Sequence, residues 1–194
     1  MSKLINISKQ YKIKADKLLA KTGLIKNLKK FGQVHLVGAY SLGLMMHGDI
    51  DLEVTRVKKY SRREVLHIFN YLYWQNKFKS YFIGGKWDDP RIGKEFPNGY
   101  YLGMKTKFAN ETWTIDVWFM DKKEFVKRTK KSNLFWKKIS NKERELILAL
   151  KKFRNDNKIK IAGYQIYELV LKGKIGSLKE FKDYLKRERI AFGK

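Results

Sequence analysis

VGAYSLGLMMHGDIDLEV, residues 37–54, places a glycine-bracketed turn ahead of three carboxylates that occupy every second position of one short segment. On a β-strand alternate side chains share a face, so Asp49, Asp51 and Glu53 point one way while Ile50, Leu52 and Val54 point into a core. Carboxylates two residues apart on one face repel each other, and hydrophobic packing does not offset that cost. A divalent cation held between them does, which makes Asp49 and Asp51 candidate metal ligands. Glu53 shares the face but lies one step further along and reads as an accessory. Upstream, Gly38 and Gly43 bracket a turn that leaves a strand and is expected to enter a short helix at Ser41–Met46, freeing backbone N–H groups for phosphate oxygens.

Working outward, Gln33–Val37 reads as the strand before that turn, and an opening helix is expected over residues 8–31, where Leu18, Leu19, Ile25, Leu28 and Phe31 recur at near-helical spacing before Gly32. Ser61-Arg62-Arg63-Glu64 is a capping box that opens a helix running to about residue 76, with Val65, Leu66, Ile68, Phe69, Leu72 and Tyr73 as its apolar positions. A strand from Tyr81 runs into an irregular stretch that ends at Gly99 and contains both prolines. Tyr100–Phe108 and Thr112–Phe119 read as an antiparallel hairpin joined at Ala109-Asn110-Glu111. In the second of these strands Trp113, Ile115, Val117 and Phe119 form the apolar face, and Asp116 lies on the other with Thr112, Thr114 and Trp118. Capping boxes at Ser140–Glu143 and Ser177–Glu180 open helices of about residues 141–156 and 178–190, with a third near 162–172.

Taken in order, Gly38-Ala39, nine residues, Asp49-Ile50-Asp51-Leu52 and then Ile115-Asp116-Val117 resemble the pattern of the polymerase-β-like nucleotidyltransferase superfamily, and the resemblance covers about residues 33–119. It implies an α+β nucleotidyltransferase fold, with a short mixed β-sheet packed by helices and the site at the sheet's end. It also implies catalytic, metal-binding roles for Asp49, Asp51 and Asp116: the first two hold two Mg²⁺ ions, with Mn²⁺ as the alternative, and Asp116 completes the second site. The implied reaction transfers a nucleoside monophosphate from an NTP to a hydroxyl with release of pyrophosphate, and the candidate nucleotide-binding residues are Gly38, Ala39, Ser41 and Gly43. Ala39 departs from the Ser or Gly common at its position and removes a hydroxyl, but alanine keeps the backbone N–H through which such a turn holds phosphate.

The chain of 194 residues carries 44 Lys and Arg against 19 Asp and Glu, a formal charge of +25 that attracts polyanions. Residues 121–194 hold 23 of those basic side chains and only 9 of the acidic ones, so the reading divides the chain into a catalytic core, 1–120, and a basic C-terminal helical extension, 121–194. Lys151, Lys152, Arg154, Lys158 and Lys160 in one run and Lys182, Lys186, Arg187 and Arg189 in another favour RNA, such as a tRNA 3′ end, as acceptor. A small-molecule nucleotidyltransferase and an inactive nucleic-acid-binding module are the alternatives. The absence of cysteine excludes disulfides, iron–sulfur clusters and thiolate zinc sites, and no apolar stretch is long enough for export or membrane insertion, so a cytoplasmic protein is expected. His47 reads as a turn residue at the surface, and His35 and His67 as core positions. Trp74, Trp87, Tyr100, Tyr101, Trp118 and Trp136 are capable of stacking on bases, though aromatics this frequent mostly build cores. Gly84-Gly85-Lys86 lacks the rest of a phosphate-loop motif and reads as a turn or bulge.

Overall fold

In the computed structural model, which describes residues 3–76, 78–85, 96–132 and 139–191, the chain forms a five-stranded mixed sheet with helices and a further group of C-terminal helices. The opening helical stretch divides in two. Helix α1 (Lys3–Thr22) stops where Gly23 turns left-handed at φ 62, and α2 (Leu24–Leu28) resumes for one turn. The break follows from Thr22 and Gly23, since the Thr22 hydroxyl donates back to the Leu18 and Leu19 carbonyls and glycine alone enters the left-handed region without cost. Strand β1 (Gln33–Val37) leads directly into α3 (Gly38–Leu42), which begins three residues earlier than expected and closes at Gly43, φ 65. Strand β2 (Asp49–Arg56), helix α4 (Arg62–Asn76) and strand β3 (Ser80–Gly85) follow. The Ser61 box is formed as expected: Glu64 Oε2 accepts from the Ser61 N–H at 2.8 Å, and Ser61 Oγ accepts from the Glu64 N–H at 3.3 Å.

Strands β4 (Tyr100–Phe108) and β5 (Glu111–Asp121) join through Ala109 and Asn110, both left-handed at φ 50 and 62. That is the two-residue turn whose twist suits a hairpin. The strand order is β1-β2-β5-β4-β3, with β2 and β5 parallel and the other pairs antiparallel. Alternation sets the faces: Ile50, Leu52, Val54, Trp113, Ile115, Val117 and Phe119 are fully buried, whereas Asp49, Asp51, Asp116 and Trp118 are only partly so. Helix α4 buries Val65, Ile68 and Leu72, while Leu66, His67 and Tyr73 face solvent, so His67 is not a core residue. Asp121 ends β5 and starts α5 (Lys122–Ser132) by accepting the Glu124 N–H at 2.8 Å.

Two compact units emerge. Tyr11–Gly43 and His47–Lys131 make up the sheet unit; Met1–Gln10, Leu44–Met46 and Ser132–Lys194 make up the helical one. In the helical unit α6 (Asn141–Asp156), α7 (Gly163–Leu171) and α8 (Leu178–Arg187) pack around Ile147, Leu148, Leu150, Ile166 and Phe181. The Ser140 capping box is complete, whereas at Ser177 the Glu180 carboxylate accepts from the Gly176 N–H instead of closing its own box. Lys151 does not belong to a basic face: it is buried, and its Nζ donates to the Leu44 carbonyl at 2.6 Å and the Tyr167 hydroxyl at 2.9 Å. Among the described residues no helix is long and apolar enough to cross a membrane.

Candidate active site

Register brings the acids together. In the parallel pairing Asp51 stands opposite Asp116 and Asp49 opposite Thr114, so the two halves of the pattern, 65 positions apart in sequence, become neighbours on one sheet face. Paired strands lie about 4.8 Å apart, which sets the spacing of the Asp51 and Asp116 backbones. Burial pushes the Asp116 carboxyl above the usual carboxylate range and the negative charge of Asp49 adds to this, while the Tyr101 hydroxyl, which donates to Asp116 Oδ1 at 2.8 Å, and Lys105 pull it down. Burial, together with Asp116, Asp49 and Asp51, raises the Tyr101 phenol strongly. The phenol therefore stays protonated and remains a donor.

The glycine turn is built around the same acids. Gly38 adopts φ +60, and a β-carbon there would overlap the Asp51 carboxylate, so only glycine lets β1 pass into α3 with that carboxylate against the turn. Ala39 is buried and leaves only its backbone to face a ligand. The exposed Ser41 hydroxyl donates to the Gly38 carbonyl at 3.0 Å, capping the turn from within. His47, a turn residue at the surface as expected, lies with its Nε2 3.7 Å from Asp49 Oδ2. Glu53 is drawn aside: it is mostly buried, 4.0 Å from Arg128, and its carboxyl is pushed up by burial against the pull of that guanidinium.

Among the described residues no three His, Asp or Glu side chains form a closed metal cage. For Mg²⁺ this arrangement still fits, because Mg²⁺ keeps several waters and is usually held by one or two carboxylates together with substrate phosphates. Asp49, Asp51 and Asp116 supply hard oxygen donors, and the His47 imidazole beside Asp49 is the one softer donor noted at the site among the described residues.

Sequence reasoning named Tyr101 only among six aromatics capable of stacking on bases and did not name Phe82. The alternation of Tyr100–Phe108 hinted at Tyr101, but only the β4–β5 register, Gly103 opposite Asp116 and Tyr101 opposite Trp118, sets its hydroxyl on the acid. Of the other stacking candidates, Tyr100 is buried in the core and Trp74 is 67% exposed on α4, while Trp87 and Trp136 lie outside the described residues, as do Lys86 and most of the irregular stretch before Gly99. At the other end of β2 and β5, about 17 Å from Asp51 along five residues of strand, Val57, Lys122, Lys123, Val126, Lys127 and Lys130 line a shallow groove of about 760 Å³.

No protein-family model matches the sequence, and no curated protein matches it. Solved structures match its fold. The Cid1 poly(U) polymerase bound to Mg and 3′-dATP aligns with a TM-score of 0.58 at 15% identity, over 83% of this chain and 48% of that one. The non-canonical poly(A) polymerase complex GLD-2–GLD-3 aligns with a TM-score of 0.55 at 14% identity, over 92% of this chain and 62% of that one. The chain thus spans between 48% and 62% of the length of these structures. At such identities the likeness is one of fold: the chain shares the α+β fold of these polymerases, a mixed sheet packed by helices.

Proposed function

We propose that the chain is a metal-dependent nucleotidyltransferase that moves a nucleoside monophosphate from an NTP to a hydroxyl of an RNA acceptor and releases pyrophosphate. The observation that carries this reading is the pairing of Asp51 with Asp116 on parallel strands, with Asp49 on the same face and the Gly38 turn against Asp51. Nothing in packing rewards that concentration of negative charge. Asp49 and Asp51 would hold both Mg²⁺ ions and Asp116 the second of them. When bound, such ions neutralise triphosphate charge and lower the pKa of the attacking hydroxyl. The backbone N–H groups at the start of the turn, at Gly38, Ala39 and Ser41, would hold phosphate oxygens, whereas Gly43, expected to share that role, closes α3 with its N–H donated back to the Ala39 and Tyr40 carbonyls; Tyr101 keeps the Asp116 carboxylate oriented, and Asp116 would take the acceptor's proton.

RNA as acceptor is supported by the charge of +25 and by the lysine groove of α5, with the exposed Lys152, Lys158, Lys160, Lys182, Lys186, Arg187 and Arg189, on the C-terminal helices and the segments that follow them, as further phosphate contacts. The sheet-bearing part, 1–120, would then carry the chemistry and the basic part, 121–194, the acceptor. Cid1 and GLD-2, the polymerases that share the fold, act as poly(U) and poly(A) polymerases by their names, which agrees with an RNA acceptor. The test is incubation with Mg²⁺, each α-³²P-labelled NTP in turn and total RNA, with an Asp49→Ala, Asp51→Ala double variant as control. Label entering RNA with the intact protein alone supports the reading. Label entering a small hydroxyl compound instead moves the acceptor, and failure to bind NTP and Mg²⁺ at all defeats the catalytic assignment.

A further inference from the structure

Beside the acids, aromatic side chains follow one another across the same sheet face. The Phe82 and Tyr101 rings are 5.8 Å apart at 52°, and the Tyr101 and Trp118 rings 5.2 Å apart at 46°. Phe82, at the outer end of this ladder, packs on Tyr101 and is still 64% exposed.

Two glycines make room for this layer. A β-carbon at Gly84, two residues along the same face of β3, would stand 3.2 Å from the Phe82 ring, and one at Gly103 on β4 would stand 2.5 Å from the Tyr101 hydroxyl oxygen. Glycine at both positions lets the rings lean along the sheet instead of standing off it, and no structural need of the strands themselves calls for it, since glycine weakens a strand interior.

Resting on the nucleotidyltransferase reading above, we propose that Phe82, Tyr101 and Trp118 form a stacking platform for the terminal bases of the acceptor strand. The direction of the ladder selects this occupant. The phosphate turn follows β1 at one edge of the order β1-β2-β5-β4-β3, and the ladder starts at β5 and runs to β3 at the other edge. Its middle ring carries the hydroxyl bound to Asp116, the acid on the side of the attacking group. An acceptor whose last hydroxyl lies at Asp116 therefore has its bases over the rings while the triphosphate occupies the opposite side. The platform spans two strand spacings, roughly 10 Å, which suits one or two bases. Phe96 already stacks on Trp118 at 6.0 Å and 24°, so the open end of the ladder is the exposed Phe82 ring, which accepts any base by stacking and does not read base edges.

The experiment measures binding by fluorescence anisotropy, using a fluorescein-labelled oligoribonucleotide and a second one whose last two nucleotides are abasic. Phe82→Ala is the informative variant, because an exposed side chain contributes little to folding, and Phe82→Trp is its conservative partner. Phe82→Ala is expected to weaken binding of the base-bearing oligonucleotide by roughly 5- to 100-fold, as loss of one base–aromatic stack does. It leaves the abasic oligonucleotide unaffected, and Phe82→Trp restores the loss. Equal affinity of wild type and Phe82→Ala for the base-bearing strand, or wild-type affinity that ignores the missing bases, overturns the platform. Label transfer to RNA, measured on the same preparations, separates the two ideas: transfer without any effect at Phe82 overturns the platform alone, and base-dependent binding without transfer overturns the catalytic reading alone.

Discussion

Gly38→Ala tests the link between the turn and the acids most sharply. The substitution has two separable effects. Alanine at φ +60 costs about 1–2 kcal/mol for the left-handed conformation, which at roughly 2–4 °C per kcal/mol for a chain of this size lowers Tm by about 2–8 °C. Its β-carbon also falls on the Asp51 carboxylate, which has to swing away from its place opposite Asp116. In the proposed function Asp51 holds metal, and misplacing such a group by about 1 Å costs on the order of 100-fold in rate, so that reading expects activity to fall by at least that factor. Gly23→Ala is the matched control: Gly23 has φ +62, yet nothing lies within 4 Å of its β-carbon, so it carries the strain without the collision. Both variants are compared by thermal unfolding and by pyrophosphate release across a Mg²⁺ titration. Similar Tm losses with activity lost only in Gly38→Ala are expected. Equal activity in the two variants would show that the position of Asp51 against the turn has no part in the chemistry.

Trp113 is fully buried, meets Phe108 edge to face and Tyr11 at a tilt of 55°, and donates its indole N–H to the Phe108 carbonyl at 3.2 Å; Trp113→Ala is expected to cost about 3–5 kcal/mol and to lower Tm by roughly 6–20 °C. His35 stacks on Phe125 at 4.2 Å, lies 3.0 Å from the Thr55 hydroxyl, and has its pKa lowered from 6.5 by burial. Because the unfolded chain then binds more protons, the stability due to neutral His35 is complete above about pH 6.5 and is lost as pH falls below it. Urea melts from pH 8 to pH 5 should show the advantage of wild type over His35→Phe shrinking, and a constant difference would refute the shift. Replacing Lys122, Lys123, Lys127 and Lys130 by Gln should reduce the slope of log K against log salt for single-stranded RNA by about 2.8, at about 0.7 per phosphate contact. An unchanged slope removes the α5 groove from the RNA path.

Much of the fold was legible because its signals are local. Strand alternation depends only on neighbouring residues, and Ile50, Leu52, Val54 and the odd-numbered positions 113–119 are buried as their spacing required. The capping box at Ser140 marks the start of α6 to the residue. Where local signals competed, the reading slipped. The apolar spacing of residues 8–31 continues across Gly23, but periodicity carries no information on backbone handedness, and α1 ends there. Likewise Lys151 belongs by sequence to a basic run and by structure to a core, because the Leu44 carbonyl and the Tyr167 hydroxyl satisfy its ammonium.

The sequence by itself determined which residues carry charge, which strand faces hold the acids, and the spacing of glycine and acids from which the fold is recognised. Only the tertiary structure decided that Asp51 and Asp116 are neighbours, that Gly38 makes room for Asp51, and that Tyr101 reaches Asp116. The reason is that strand pairing and register are long-range choices, made when all the apolar faces are buried together, and a shift of one residue in either strand would turn every one of these side chains to the other face of the sheet.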